Sequence, residues 1–329
     1  MLPAVEASSA PTPPADVLES RRTLPDRIGD AALKWITAAA AAGSVALIGL
    51  IIYKVVDGAR PSIEQFGLGF VWHETWNTVT NQFGALDFIF GTMYTTFWAV
   101  LFGGPIAIAI GLYLSELAPR GVRGVVGSLV EMLAAIPSVV LGLWGILVLG
   151  PVVTSTFGPW LNTAFGWTPF FSSLPASGST MFTAVLVLTI MIVPITASIS
   201  RDLFGQVPAD IKEGAYGLGL TRWEMTRGVM LPYTRGGLMA AVLLGGGRAV
   251  GEAIAVTQVA GITTHGLSVN LFTTGDTLGS RIAEQYQGAV SNLQIASLFY
   301  LGVILLVMSL VTNFVAQIVV RRYAIEKAA

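Results

Sequence analysis

Long apolar runs separated by short polar stretches dominate the chain, and six of them reach the roughly 20 residues that cross a bilayer as a helix. They lie at about 35–53, 88–114, 125–150, 180–200, 237–260 and 293–319. Each is expected to be helical, because lipid offers backbone amides no partners. The stretch from Pro151 to Ser179 is also uncharged, but Pro151, Pro159, Pro169 and Pro175 interleave there with Trp160 and Trp167. It reads as an interfacial loop or short re-entrant helices, with a seventh span as the alternative. Pro105, Pro137 and Pro194 fall inside spans, where each removes a backbone hydrogen bond. Kinks of this kind suit a moving gate or static packing. Pro137 with Ser138 is the pair expected on a pathway.

Composition agrees with the pattern. Hydrophobic residues make up 53% of the 329 residues and charged ones 11%, and no charged side chain occurs from Met132 through Ser200. The fold class is therefore an all-α polytopic membrane protein, since a soluble domain needs charge on its surface. There are no cysteines, which excludes disulfides and thiolate chemistry, and the two histidines, His73 and His265, lie far apart in loops. No metal site, catalytic group or nucleic-acid partner is expected.

Basic residues settle orientation. Six spans put fourteen of the 18 basic residues on one side, among them Arg120, Arg123, Arg201, Lys212 and Arg235, and leave Lys54, Arg60 and Arg281 on the other. Both termini are thus expected in the cytoplasm, and a seventh span spoils the sorting. Residues 1–30, rich in Pro, Ala and acidic groups, read as a disordered cytoplasmic tail. The apolar run begins too late for an ordinary cleaved leader, so it reads as a retained anchor. Residues 31–87 are then a first span with an extracytoplasmic loop, and 88–329 a core with a cytoplasmic loop at about 201–235.

That loop is the most patterned polar stretch. Pro208 opens a helical segment over Asp210–Tyr216, Gly217 and Gly219 permit a sharp turn, and a second short helix from Thr221 to Met230 is expected to end at Pro232. Leu231 and Trp223 are expected to hold the resulting knob against the membrane. The loop carries Glu213-Gly214-Ala215, three residues, Gly219, nine residues, then Val229-Met230-Leu231-Pro232. This spacing resembles the EAA loop of ABC-importer permeases, with Gly214 in place of alanine and Val229 in place of isoleucine. The resemblance implies a MetI-like permease whose Glu213–Gly219 helix docks on an ATPase subunit. The chain has no GxxxxGK[ST] phosphate loop, so that ATPase is a separate polypeptide.

A second resemblance narrows the family. Glu131 followed by Ala135-Ile136-Pro137-Ser138-Val139-Val140-Leu141-Gly142-Leu143-Trp144-Gly145, together with Gly247-Arg248-Ala249-Val250-Gly251-Glu252, is similar to two spans of PstC-type phosphate-importer permeases. What this implies is a multi-pass permease subunit in the plasma membrane of a prokaryote. It is not an enzyme and binds no cofactor itself. Its implied partners are a PstA-type permease, two ATPase subunits that use ATP and magnesium, and an extracytoplasmic phosphate-binding protein.

Arg248 falls near the middle of a span, where it must face protein or water. Glu252, four residues on, would share its helical face, either as a neutralising ion pair or as a holder that keeps Arg248 poised for a tetrahedral anion. Gly245-Gly246-Gly247 either exposes amides to a ligand or allows tight helix packing. Glu131 reads as a carboxylate on the route or as a snorkelling residue, and Thr257 and Gln258 as lining or as interhelical bonds. Three alternatives to a phosphate permease remain: a permease for another oxyanion or solute, an ion-coupled transporter using Arg248 and Glu252 as a proton relay, or a membrane scaffold or sensor that transports nothing.

Overall fold

Helices carry the fold, and the described residues hold no strand beyond an isolated bridge between Asn77 and Gln82. The structure is a computed structural model describing residues 24–261 and 266–325. The expected tail as far as residue 23, His265 and Lys327 lie outside the described residues. In chain order the helices are α1 (Leu24–Phe66), α2 (Gly69–Trp72), α3 (Leu86–Leu117, its last turn π-helical) and α4 (Arg120–Ala134). Next come α5 (Ser138–Phe165), α6 (Met181–Gly205) and α7 (Ala209–Gly217). α8 covers residues 222–250, followed by α9 (Ile254–Val259), α10 (Leu278–Gln285) and α11 (Asn292–Ile325).

Contacts divide the chain after Lys54. Between Trp35 and Tyr53 α1 carries no charge on any side, as a bilayer-crossing helix does. It begins at Leu24, inside the segment expected as a tail, and continues through Pro61 to Phe66 where a loop was expected. Within the second unit α6 is the hub. Its Val185, Leu188, Met191 and Ile192 are almost fully buried in a cluster with Val256, Val259 and Leu271. Glycines let its neighbours approach: a Cβ on Gly111 of α3 would lie 2.7 Å from Ser200 Cβ, and one on Gly245 of α8 would lie 2.6 Å from Ile192 Cγ2. Gly245 and Gly246 therefore serve packing inside an unbroken helix, not exposure of amides.

Five helices among the described residues are long and apolar enough to cross a membrane: Ile28–Phe66, Leu86–Leu117, Ser138–Phe165, Met181–Gly205 and Asn292–Arg322. Two differences from the hydropathy pattern follow. The run at 125–150 is not one helix, because the chain breaks at Ala135–Pro137 between α4 and α5. Proline disfavours helical geometry at the residue before it, so Pro137 starts α5 and interrupts nothing. α5 then continues to Phe165, into the stretch expected as an interfacial loop or short re-entrant helices. The run at 237–260 also breaks: α8 ends at Val250 and α9 starts at Ile254.

Pro61, Pro105 and Pro194 lie inside regular α-helix, but at other prolines the helix widens first. Among the described residues, four π-helical turns end at Leu117, Leu149, Phe157 and Met230, each two residues before a proline: Pro119, Pro151, Pro159 and Pro232. In each, the residue preceding proline donates its N–H five residues back, from Ala118 to Tyr113, Gly150 to Gly145, Gly158 to Val153 and Leu231 to Thr226. A proline ring in a regular helix collides with the carbonyl four residues earlier, and the wider turn moves that carbonyl aside. At Pro119 the helix nevertheless ends. At Pro151, Pro159 and Pro232 it runs on, so the second loop helix does not stop at Pro232 but becomes α8.

Candidate translocation and coupling sites

The polar loop folds as a short helix on a buried footing. Pro208 precedes α7, and Gly219 closes it at φ +82°. Leu220 N–H donates to Ala215 O at 3.2 Å and Gly219 N–H to Tyr216 O at 2.9 Å, the paired bonds of a glycine-terminated helix. The spacing from Ala215 to Gly219 thus has a local cause. Ala215 must be small because it is buried beside Phe204, Met225 and Met230, and Gly219 must take a left-handed conformation that costs other residues strain. Gly214 is exposed, and a Cβ there would meet nothing within 4 Å.

Thr221 and Glu224 start α8 with a reciprocal cap: Thr221 N–H donates to Glu224 Oε2 at 2.8 Å and Glu224 N–H to Thr221 Oγ1 at 3.3 Å. The Thr221 amide and hydroxyl hold the Glu224 carboxyl below its ordinary pKa. Leu231 packs onto the buried cluster, Pro232 is exposed, and Trp223 is 66% exposed instead of pinned. Together with Leu218 at 84% exposure and with Tyr216, it gives the knob a bare apolar surface beside exposed Glu213.

The two broken spans meet. Gly142 of α5 faces α9, where a Cβ would come within 2.9 Å of Ala255 Cα, and the buried Gln258 Oε1 lies against the same glycine. The start of α5 at Pro137 and Ser138 and the start of α9 therefore belong to adjacent elements. Both are helix beginnings, whose free amides favour negative charge. α5 has no side-chain cap. At α9 the Glu252 carboxylate accepts from Ala255 N–H at 3.2 Å. Arg248 is exposed near the end of α8.

The expected ion pair between Arg248 and Glu252 is not formed among the described residues, because the helix that would put them on one face ends between them. Glu252 does not hold Arg248. The Thr257 hydroxyl donates to Ala253 O at 2.8 Å and also reaches Ser280 O of α10 at 3.4 Å, an interhelical contact. Glu131 is exposed and accepts from Arg201 Nη2 at 2.9 Å, joining α4 to the end of α6.

Residues 103–325 match the family described as binding-protein-dependent transport system inner membrane component. The phosphate transport system permease protein PstC of Mesorhizobium japonicum is 39% identical over 98% of this chain and 96% of its own length. That of Pasteurella multocida is 42% identical over 85% and 88%, respectively. This chain belongs to the PstC family. As a permease of this type it is a multi-pass inner-membrane protein of the ABC class. Two solved structures share its fold at low identity. A bacterial alginate ABC transporter in complex with a periplasmic protein has a TM-score of 0.58 at 18% identity, covering 89% of this chain and 96% of the other. The inward-facing MetNI methionine ABC transporter has a TM-score of 0.52 at 19% identity, covering 71% and 93%.

Sequence pattern alone missed one contact in the permease. Lys212 Nζ lies 2.6 Å from Glu116 Oε1, tying α7 to the last turn of α3. The signal was a lone carboxylate at the end of an apolar run, with a lysine next to Glu213 in the patterned loop.

Proposed function

We propose that the chain is the permease subunit through which an ATP-driven importer carries inorganic phosphate, with both termini and the α7 knob in the cytoplasm. The observation that carries the cargo is kinship to proteins named as phosphate transport permeases over nearly the whole chain. The site gives that cargo a physical basis. An exposed guanidinium at Arg248 and the uncapped start of α5 at Pro137–Ser138 are both suited to a tetrahedral anion on its way across. Thr257 and Glu131 border this route.

The chain does no bond chemistry. ATP and magnesium are used by two separate ATPase subunits, one of which docks on the knob around Glu213, Gly214, Ala215 and Gly219, held on its footing by Leu231 beside the exposed Pro232. One knob per chain and two ATPase lobes call for a second permease, which is the PstA-type partner. An extracytoplasmic phosphate-binding protein delivers the anion. ATP binding closes the motor, moves α7 and opens the pathway outward, and hydrolysis resets it.

The test is uptake of radiolabelled phosphate by the reconstituted complex with its binding protein. ATP-dependent uptake that excess sulfate and molybdate leave unchanged supports phosphate. Inhibition by either anion points to a broader oxyanion importer. Uptake that persists without ATP and collapses with an uncoupler points to ion-coupled transport.

A further inference from the structure

Helix α3 is fastened at both ends to parts of the permease that have different tasks. At its inner end Glu116 Oε1 meets Lys212 Nζ at 2.6 Å, and both side chains are only 19% exposed. Lys212 immediately precedes Glu213 in α7, and its ammonium also reaches Phe204 O at 3.4 Å. At the outer end the Arg281 guanidinium carbon lies 4.7 Å from the Phe88 ring centroid. Leu278 N–H donates to Thr92 Oγ1 at 2.9 Å, and Asp276 O presses on Gly91 so closely that no side chain fits there. Arg281 is itself buried and paired with Asp276. The helix between these fastenings covers 32 residues, about 48 Å at the helical rise.

We propose that the Lys212–Glu116 pair is the strut through which movement of α7 reaches α3, and that α3 carries it to the outer segment Asp276–Arg281. Lys212 and Glu116 are positioning residues in this account and do not touch the cargo. The other footing of α7 is apolar, through Ala215 on Phe204, Met225 and Met230, and such contacts resist separation but not sliding. A hydrogen-bonded ion pair is directional, and partial burial protects it from screening by salt. It therefore fixes which way α3 is pushed when the knob moves. The inference rests on the chain being an ATP-driven permease.

The test uses the reconstituted permease–ATPase complex with Lys212→Met, Glu116→Gln and the charge exchange Lys212→Glu/Glu116→Lys. The ATPase should copurify with all three and remain active. Phosphate moved per ATP should fall on the order of tenfold in each single variant, the size expected for one charge-assisted bond, and recover largely in the exchange. Wild-type coupling in either single variant overturns the strut. So does a loss in which assembly fails and the exchange restores nothing, because the pair then only holds the fold. A second readout is independent of the cargo. The chain has no native cysteine, so Leu267→Cys, 45% exposed, takes a single fluorescent label. ATP should change its emission in the otherwise native permease but not with Lys212→Met. An equal response in both overturns the strut, even if the wild-type complex proves to move a solute other than phosphate.

Discussion

The Glu252 carboxylate accepts the Ala255 N–H at 3.2 Å, so it caps α9 and leaves Arg248 unneutralised among the described residues. Glu252→Ala should destabilise the detergent-solubilised permease by about 1 kcal/mol, the usual cost of a lost cap. In a double-mutant cycle with Arg248→Gln the two stability losses should add, with a coupling below about 0.5 kcal/mol. A large coupling energy in thermal unfolding would restore the ion pair.

Gly142 sets how closely the two broken spans pack. A methyl group there would approach Ala255 Cα to 2.9 Å and crowd Gln258. Gly142→Ala should cost about 1–3 kcal/mol of stability through overpacking. It should also lower uptake, because the starts of α5 and α9 are pushed apart. Unchanged melting and unchanged uptake would mean that these elements do not meet in the membrane.

Two glycines five residues apart, one inside α7 and one just past its end, should respond with opposite signs when changed to alanine. Gly219 sits at φ +82°, where a side chain is strained, so Gly219→Ala should destabilise the end of α7 by about 1 kcal/mol. Gly214 is helical with open space around it, so Gly214→Ala should stabilise α7 by about 0.5–1 kcal/mol. Amide exchange across residues 209–220 and copurification of the ATPase report both. Equal effects would contradict the helix end described here.

The cap at Thr221 carries a pH dependence. Hydrogen bonds from the Thr221 amide and hydroxyl lower the Glu224 pKa, so the folded pKa lies below the unfolded one. The contribution of the carboxylate is then present above the ordinary glutamate range and is lost as pH falls through the lowered folded value. Protection of the Thr221 amide, corrected for intrinsic exchange, should drop across that acidic window. In Glu224→Gln it should be flat.

Hydropathy located most of the spans because lipid imposes helices on any long apolar run, and the glycine at 219 was legible because only one backbone conformation ends α7 there. Proline misled in both directions. Pro137 starts a helix, and Pro151 and Pro232 are passed through, because π-helical turns relieve a clash that no local pattern announces. The break after Val250 was hidden by the apolar run around it, and with it the separation of Glu252 from Arg248. Lys212 and Glu116 are 96 positions apart, so nothing in local periodicity joins them.

The central claim is that Arg248 serves an anion crossing the membrane. It is tested most directly by ATP-driven uptake of radiolabelled phosphate in a complex carrying Arg248→Gln. Uptake should be abolished while the ATPase and partner permease still copurify in normal amounts. Normal phosphate uptake by that assembled complex would contradict the account.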